Sequence, residues 1–319
     1  MRRWLFATSL LTLAGCGYVG EPLPPALMMP RPVRDLRVVE SGTSIVAEFT
    51  IPELTTENLE LKSLQSVELY AGANTNPFRQ EAWLAGAKKM MVPSNTPGAV
   101  TYEFLANEFV GKEIVIGVRA TGPKGKTSGW SNFAALTVIP ALAKPTALKA
   151  EALPQGVKLS WQGAGPRYRV FRILQGAPPA VLGDADQPTF TDPEATFGTE
   201  YRYMVMATSG DTHQSVMSET ETIVPKDTFP PSVPVGLTPV QGVRTIELAW
   251  ERNTEADLRG YYVYRADTGP MQRVAGPIDS PAFSDGGVQT GRRYRYAISA
   301  VDVNGNESAQ SAPVEAEAP

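Results

Sequence analysis

The stretch ATGPKGKT, residues 120–127, sets Ala120, Gly125, Lys126 and Thr127 at the spacing of a phosphate-binding loop. In such a loop, backbone amides and a lysine cradle phosphate oxygens, and a helix begins at the Gly-Lys-Thr so that its positive end faces the anion. Here Gly129, Trp130 and Asn132 follow, and then the strand-like run FAALTVI. Gly122, Pro123 and Gly125 are turn residues. The spacing therefore predicts a strand-to-strand turn and no nucleotide site.

Other reactive residue types are scarce. The chain has one Cys and one His, which excludes a Cys/His zinc tetrad and an internal disulfide. His213 has Asp211 and Ser215 only as neighbours on one loop, without the orienting partner and nucleophile that a catalytic His needs. Asp302-Val-Asn304-Gly305-Asn306 starts like a calcium loop, but its Gly comes one position early and no Glu stands at the twelfth position. An Asn-Gly hairpin turn accounts for it. Nothing in the sequence marks a cleft with paired carboxylates. The expectation is no enzyme, no catalytic residues, no cofactor and no metal.

The elements that hold these residues repeat. Three ten-residue segments align without gaps: GKEIVIGVRA at 111–120, GTEYRYMVMA at 198–207 and GRRYRYAISA at 291–300. Each alternates large apolar residues, the period of a strand with one buried face. Their leading glycines lie 87 and 93 residues apart, the span of a small sandwich domain. Upstream of each come a strand with a central aromatic (SIVAEFTIP, GVKLSWQG, TIELAWER), a second strand (LQSVELYAG, RYRVFRI, GYYVYRA) and a short third one (TYEF, TFTD, AFSD). Each copy opens on a proline-led entry, and the phosphate-loop lookalike falls in the last turn of copy one.

Composition agrees. Hydrophobic residues make up 42% and charged residues 19% of 319 residues, enough for packed cores. Gly and Pro number 28 each, the punctuation of many short strands. A net charge of −4 without a basic block argues against nucleic acid as a partner.

The early Trp161 and Trp250 and the late Tyr-x-Tyr strands resemble fibronectin type III domains. The resemblance implies that both Trp fill the cores between sheets. It also implies that Tyr201 and Tyr294 sit at tyrosine corners, bonding back to backbone. Copy one departs: Phe49 replaces the Trp, Ile114 replaces the corner Tyr, and insertions surround TTENLELKS and NPFRQEAWLAGAKKM. Trp83 and Trp130, found only there, are read as core, with sugar stacking as the alternative. Met90 and Met91 in LAGAKKMMVP are read as half-buried strand beside solvated lysines, with an adaptable interface as the alternative.

The start of the chain has its own pattern. Arg2 and Arg3 precede an apolar run from Trp4 to Leu13, too short to span a bilayer, which takes about 20 residues. Leu13-Ala14-Gly15-Cys16 then resembles the bacterial lipobox. The resemblance implies cleavage after Gly15, lipidation of Cys16 and anchoring by several acyl chains. Gly at 17, rather than Asp, implies by the same resemblance to enteric lipoproteins export to the outer membrane. GYVGEPLPPALMMPRP reads as a proline-rich tether. CGYVGEPLPP is also similar to the mature start of a small lipoprotein family associated with the lipopolysaccharide-inserting barrel, although Glu21 interrupts that pattern.

The resulting expectation is an all-β chain, a tandem array of three fibronectin type III-like β-sandwiches after a lipoprotein signal peptide and Pro-rich tether. The segments are 1–15 signal, 16–32 tether, 33–140 divergent sandwich, 143–225 and 230–317. The expected function is a non-enzymatic envelope protein, held to the outer membrane through Cys16 and facing the periplasm, that binds or spaces an envelope protein partner. The alternatives are a surface adhesin or carbohydrate-binding lipoprotein, and an accessory of outer-membrane assembly.

Overall fold

The computed structural model describes residues 27–319. The signal segment, Cys16 and the first part of the tether lie outside the described residues. The chain divides between Ala141 and Leu142 into two compact units.

Seven strands build the first unit's sandwich: β1 (Arg37–Ser41), β2 (Ser44–Ile51), β3 (Ser66–Ala73), β4 (Lys88–Val92), β5 (Gly98–Leu105), β6 (Glu113–Thr121) and β7 (Ala134–Thr137). Strands β1, β2 and β5 form one antiparallel sheet, and β4, β3, β6 and β7 the other, in those orders. The alternation read from the sequence sets the faces. Ile114, Ile116, Val118 and Ala120 of β6 point inward to meet Ile45, Ala47 and Phe49 of β2 in one core.

The second unit repeats this arrangement twice. Copy two has β8 (Thr146–Leu153), β9 (Gly156–Gln162), β10 (Arg167–Ile173), β11 (Ala180–Ala185), β12 (Thr189–Asp192), β13 (Tyr201–Ser209), the two-residue β14 (His213–Gln214) and β15 (Glu221–Ile223). Strands β8, β9 and β12 pair in one sheet, and β11, β10, β13 and β15 in the other. Copy three has β16 (Thr238–Gln241), β17 (Ile246–Ala249), β18 (Leu258–Ala266), β19 (Gln272–Ile278), β20 (Ala282–Asp285), β21 (Arg293–Asp302) and β22 (Val314–Glu317). Its sheets run β16-β17-β20 and β19-β18-β21-β22. Each copy keeps its own core, around Leu159, Val170 and Val205 in copy two and around Leu248, Val263 and Ile298 in copy three.

Two features depart from expectation. The insertion of copy one contains a seven-residue helix, α1 (Gln80–Gly86), where no regular element was expected. It is held by Trp83, which is only 1% exposed and donates its indole N–H to the Val115 carbonyl at 2.9 Å. The tether also docks before it reaches residue 32. Arg31 donates its amide to Leu54 at 3.1 Å, and Thr56 donates to Met29 at 2.9 Å. Prolines bar this segment from a central strand but leave it free to pack along an edge.

Candidate functional site

The residue types able to do chemistry are drawn into bonds that hold the sandwiches, and the same bonds recur from copy to copy. Strand β12 ends on Asp192, which is fully buried. Arg172, at the end of β10, donates Nη1 to both Asp192 oxygens at 3.1 and 3.0 Å and Nη2 to Glu194 at 3.2 Å. Tyr203 of β13 donates its hydroxyl to Asp192 at 2.8 Å. Burial, and then the adjoining Asp192 carboxylate, push the Tyr203 phenol well above its ordinary range. Copy three repeats the set: Arg265 Nη1 meets both Asp285 oxygens at 3.0 and 2.8 Å, and Tyr296 donates to Asp285. Copy one has Ala71, Phe104 and Ile116 at the matching positions, so apolar residues of its core stand in place of the network.

The corner tyrosines lie where the resemblance puts them. Tyr201 Oη accepts the Thr196 amide at 3.0 Å, and Tyr294 Oη accepts the Gln289 amide at 3.1 Å. Burial raises the Tyr201 phenol, but the hydroxyl and amide of Thr196 outweigh it and hold the group below its usual range. Trp161 and Trp250 are each 6% exposed. Each meets a tyrosine of the next strand edge-on at 5.2 Å between centroids, Tyr168 and Tyr261 respectively. Those tyrosines in turn accept the Gly165 and Asn253 amides at 3.0 and 2.8 Å.

A further repeat escaped the sequence reading. Ser128 and Ser131 in copy one, Ser215 and Ser218 in copy two, and Ser308 and Ser311 in copy three are all buried. The first hydroxyl of each pair accepts the amide of Ala120, Ala207 or Ala300 at 2.9–3.0 Å. The second accepts the amide of Val118, Val205 or Ile298 at 3.0–3.1 Å. Each serine amide is returned to the carbonyl of the same residue. A Ser-x-x-Ser starting eight residues after Ala120, Ala207 or Ala300 is the signal that finds it.

The phosphate-loop lookalike is part of this device. Gly122, Lys126 and Gly125 close a turn through Gly122 N to Lys126 O at 2.8 Å and Gly125 N to Gly122 O at 2.9 Å, and Thr121 bridges Thr127. No helix starts there. A Cβ at Gly122 would sit 2.1 Å from the Met28 carbonyl, so the docked tether covers the turn. His213 lies on β14 rather than free on an exposed loop: it is half-buried, with Nδ1 3.1 Å from Thr212 Oγ1 and 3.3 Å from the Ser209 carbonyl. Ser215 is occupied as described, so these residues form no triad.

Trp83 and Trp130 also resolve. They meet edge-on at 5.1 Å, and Phe133 lies 5.2 Å from Trp83. Arg119 covers the Trp130 ring at 4.9 Å. A Cβ at Gly117 would touch Phe133 at 2.8 Å, so glycine at that position admits the ring. The rings pack on one another beneath α1 as a second apolar layer outside the sheet of β3 and β6. Lys89, Met90 and Met91 lie on β4 as read, but only Met90 is half-buried: Met91 is exposed, and Lys89 pairs with Glu68 at 2.7 Å.

Between copies two and three, three carboxylates converge: Asp227, Asp257 and Asp302 have oxygens within 4.8 Å of one another. Asp302 is buried and accepts the amides of Asn304 and Asn306 at 2.9 and 2.8 Å and the Asn306 side chain at 2.7 Å. Asn304 reaches on to the Asp227 carboxylate at 2.7 Å, and Asn306 to the Asp227 carbonyl at 3.3 Å. Phe197 and Phe229 lie 6.2 Å apart alongside. The turn that resembled a calcium loop thus latches the linker PKDTFPP to copy three.

No family model matches the chain. Among curated proteins it is similar to exoglucanase B of Cellulomonas fimi, 31% identical over 181 residues, covering 53% of this chain and 16% of that enzyme. It is also similar to an amylopullulanase of Thermoanaerobacterium saccharolyticum, 35% identical over 88 residues, covering 27% of this chain and 7% of that enzyme. The chain therefore spans a minor part of these relatives. Among solved structures, the FN1-FN3 domains of chicken CNTN1 align over 91% of this chain and 99% of theirs, with 16% identity and a TM-score of 0.30. An Fn3-like protein from Clostridium thermocellum aligns over 28% of this chain and 96% of its own, with 34% identity and a TM-score of 0.26. With the same two-sheet strand order in every copy, and the buried Trp and bonded tyrosine corner in two of them, the chain is a tandem array of fibronectin type III-like β-sandwiches.

Proposed function

We propose that this protein is a non-catalytic, lipid-anchored component of the bacterial cell envelope that holds and spaces a protein partner. The observation that carries the reading is the latch between copies two and three. Asn304 and Asn306 fix the linker at Asp227, so these two sandwiches present their loops in one set orientation. A spacer needs that stiffness, whereas a flexible string of modules lacks it. The repeated bonds at Asp192, Asp285 and the serine pairs support it too, because they tie polar side chains to the scaffold. The lipobox at Cys16 supplies the anchor, and the sorting residue Gly17 favours the outer membrane with the sandwiches in the periplasm.

The test has two parts. Cys16→Ser should abolish palmitate labelling and release the protein from the membrane fraction. Unchanged labelling and fractionation would remove the anchor from the reading. Crosslinking of the native lipoprotein should then capture a partner more weakly after deletion of residues 33–140 than after loss of copies two and three. The reverse result would place the contact on the distal copies.

A second reading has one observation in its favour. The curated relatives are named as glucanases and amylopullulanases, which suits a glycan-binding module. Cellulose and starch pull-downs of the full chain would detect it.

A further inference from the structure

Copies two and three align without gaps from Asp192 to Tyr203 and from Asp285 to Tyr296, and their differences open a cavity in copy three. In copy two, Glu194 takes the Nη2 of Arg172. In copy three, Gly287 stands at that position. Arg265 Nη1 donates to Asp285 and, at 3.0 Å, to the Gly287 carbonyl. Among the described residues its Nη2 and Nε have no hydrogen-bond partner. A Cβ at Gly287 would lie 3.2 Å from Arg265 Nη1, so a side chain there would press on the guanidinium that glycine leaves open. A further difference adds charge: Arg292 stands where copy two has Thr199.

A cavity of about 310 Å³ lies in front of these groups, lined by Arg265, Asp267, Gln272, Gln289, Arg292 and Tyr294. Arg292 is held to Asp267 at 3.2 Å by a solvent-exposed pair, which is worth little and exchanges readily. Two cations, Arg265 and Arg292, and one carboxylate, Asp267, line the cavity, and Arg295 donates to the lining Gly269 carbonyl at 2.9 Å. The side-chain amides of Gln272 and Gln289 have no hydrogen-bond partner among the described residues, and they offer donors and acceptors suited to hydroxyl groups.

We propose that this cavity binds the carboxylate of an acidic sugar. A guanidinium with a free edge matches a planar carboxylate in two parallel hydrogen bonds. The volume suits a single pyranose-sized ring, and the polar lining suits a hydroxylated one. Copy two, with Glu194 across its arginine, cannot take the same ligand. The inference is independent of the anchoring and spacing role, since it concerns only this face of copy three.

Calorimetric titration of the full chain at low salt with sodium glucuronate tests it, with glucose and inorganic phosphate as comparison ligands. Glucuronate should bind with a Kd of about 1–10 mM, at least roughly tenfold tighter than glucose or phosphate. Arg292→Gln changes an exposed side chain and should weaken glucuronate binding about tenfold with an unchanged melting temperature. Gly287→Glu, which restores the acid of copy two, should abolish it. If Gly287→Glu fails to fold, Arg292→Gln decides alone. Absence of glucuronate binding, equal binding of glucose or phosphate, or an Arg292→Gln variant that binds like wild type would each overturn the proposal.

Discussion

The phenol of Tyr296 donates to the buried carboxylate of Asp285 at 2.7 Å, while Arg265 grips the same carboxylate from the neighbouring strand. Removing the acid would leave a guanidinium and a phenol without their shared acceptor. Asp285→Ala should therefore destabilise copy three by about 3–5 kcal/mol, the usual cost of breaking a buried pair from one side. Asp285→Asn keeps an acceptor for Tyr296 and should lose less. Denaturant midpoints of the two variants give the order, and equal midpoints would show that the charge contributes nothing.

The corner tyrosines predict a smaller effect. Tyr201→Phe and Tyr294→Phe each remove one acceptor from an amide, at Thr196 and at Gln289. Each should cost about 0.5–1.5 kcal/mol, the net worth of a typical hydrogen bond, because water can reach the freed amides of these exposed residues. Amide hydrogen exchange at Thr196 and Gln289 should accelerate in the matching variant only.

Trp161→Ala and Trp250→Ala should each cost about 3–5 kcal/mol as large core truncations. The two cores are separate, so the losses should add in the double variant. Non-additive unfolding energies would mean that the latch couples the two sandwiches into one cooperative unit.

Glu255 provides a pH test. Partial burial raises its pKa, but the Ser232 amide, which Oε1 accepts at 2.6 Å, and its other donors outweigh that and set it at about 2. An unfolded-chain glutamate titrates near about 4.3. The folded value is depressed, so its stabilisation is present above about pH 4.3 and is lost as pH falls toward 2. The melting-temperature gap between wild type and Glu255→Gln should shrink across that window. A constant gap would show that the Ser232 contact does not depend on ionisation.

What the sequence displayed was whatever has a period or a bulky residue. The late strands were legible because Tyr201, Tyr203, Val205 and Ala207 alternate strictly, and the same register recurs twice more. The Trp positions were legible because few places on a sandwich hold an indole. The serine pairs were not, since Ser in a turn is ordinary and only its eight-residue offset from Ala sets it apart. The role of Asp192 was hidden because an acid at a strand end reads as the start of a turn. Helix α1 was hidden because seven residues are too few to show a helical period, and Arg79 before it makes no side-chain cap bond. The acidic-sugar cavity depends on a Glu-to-Gly difference whose meaning appears only once Arg172 and Arg265 are seen in place.

The latch at Asp227 belongs to copy three as much as to the linker, because Asn304 and Asn306 hold their positions only while the turn after β21 is folded. Lys226, beside Asp227, is the sort of residue a trypsin-like protease would attack in a slack connector. While copy three is intact, the backbone beside that lysine is tied down on both sides, by Gly198 to Pro225 and by Asn306 to Asp227. Cleavage at this point therefore reports the loss of copy three, and a released C-terminal fragment would be a record of its unfolding rather than of random nicking.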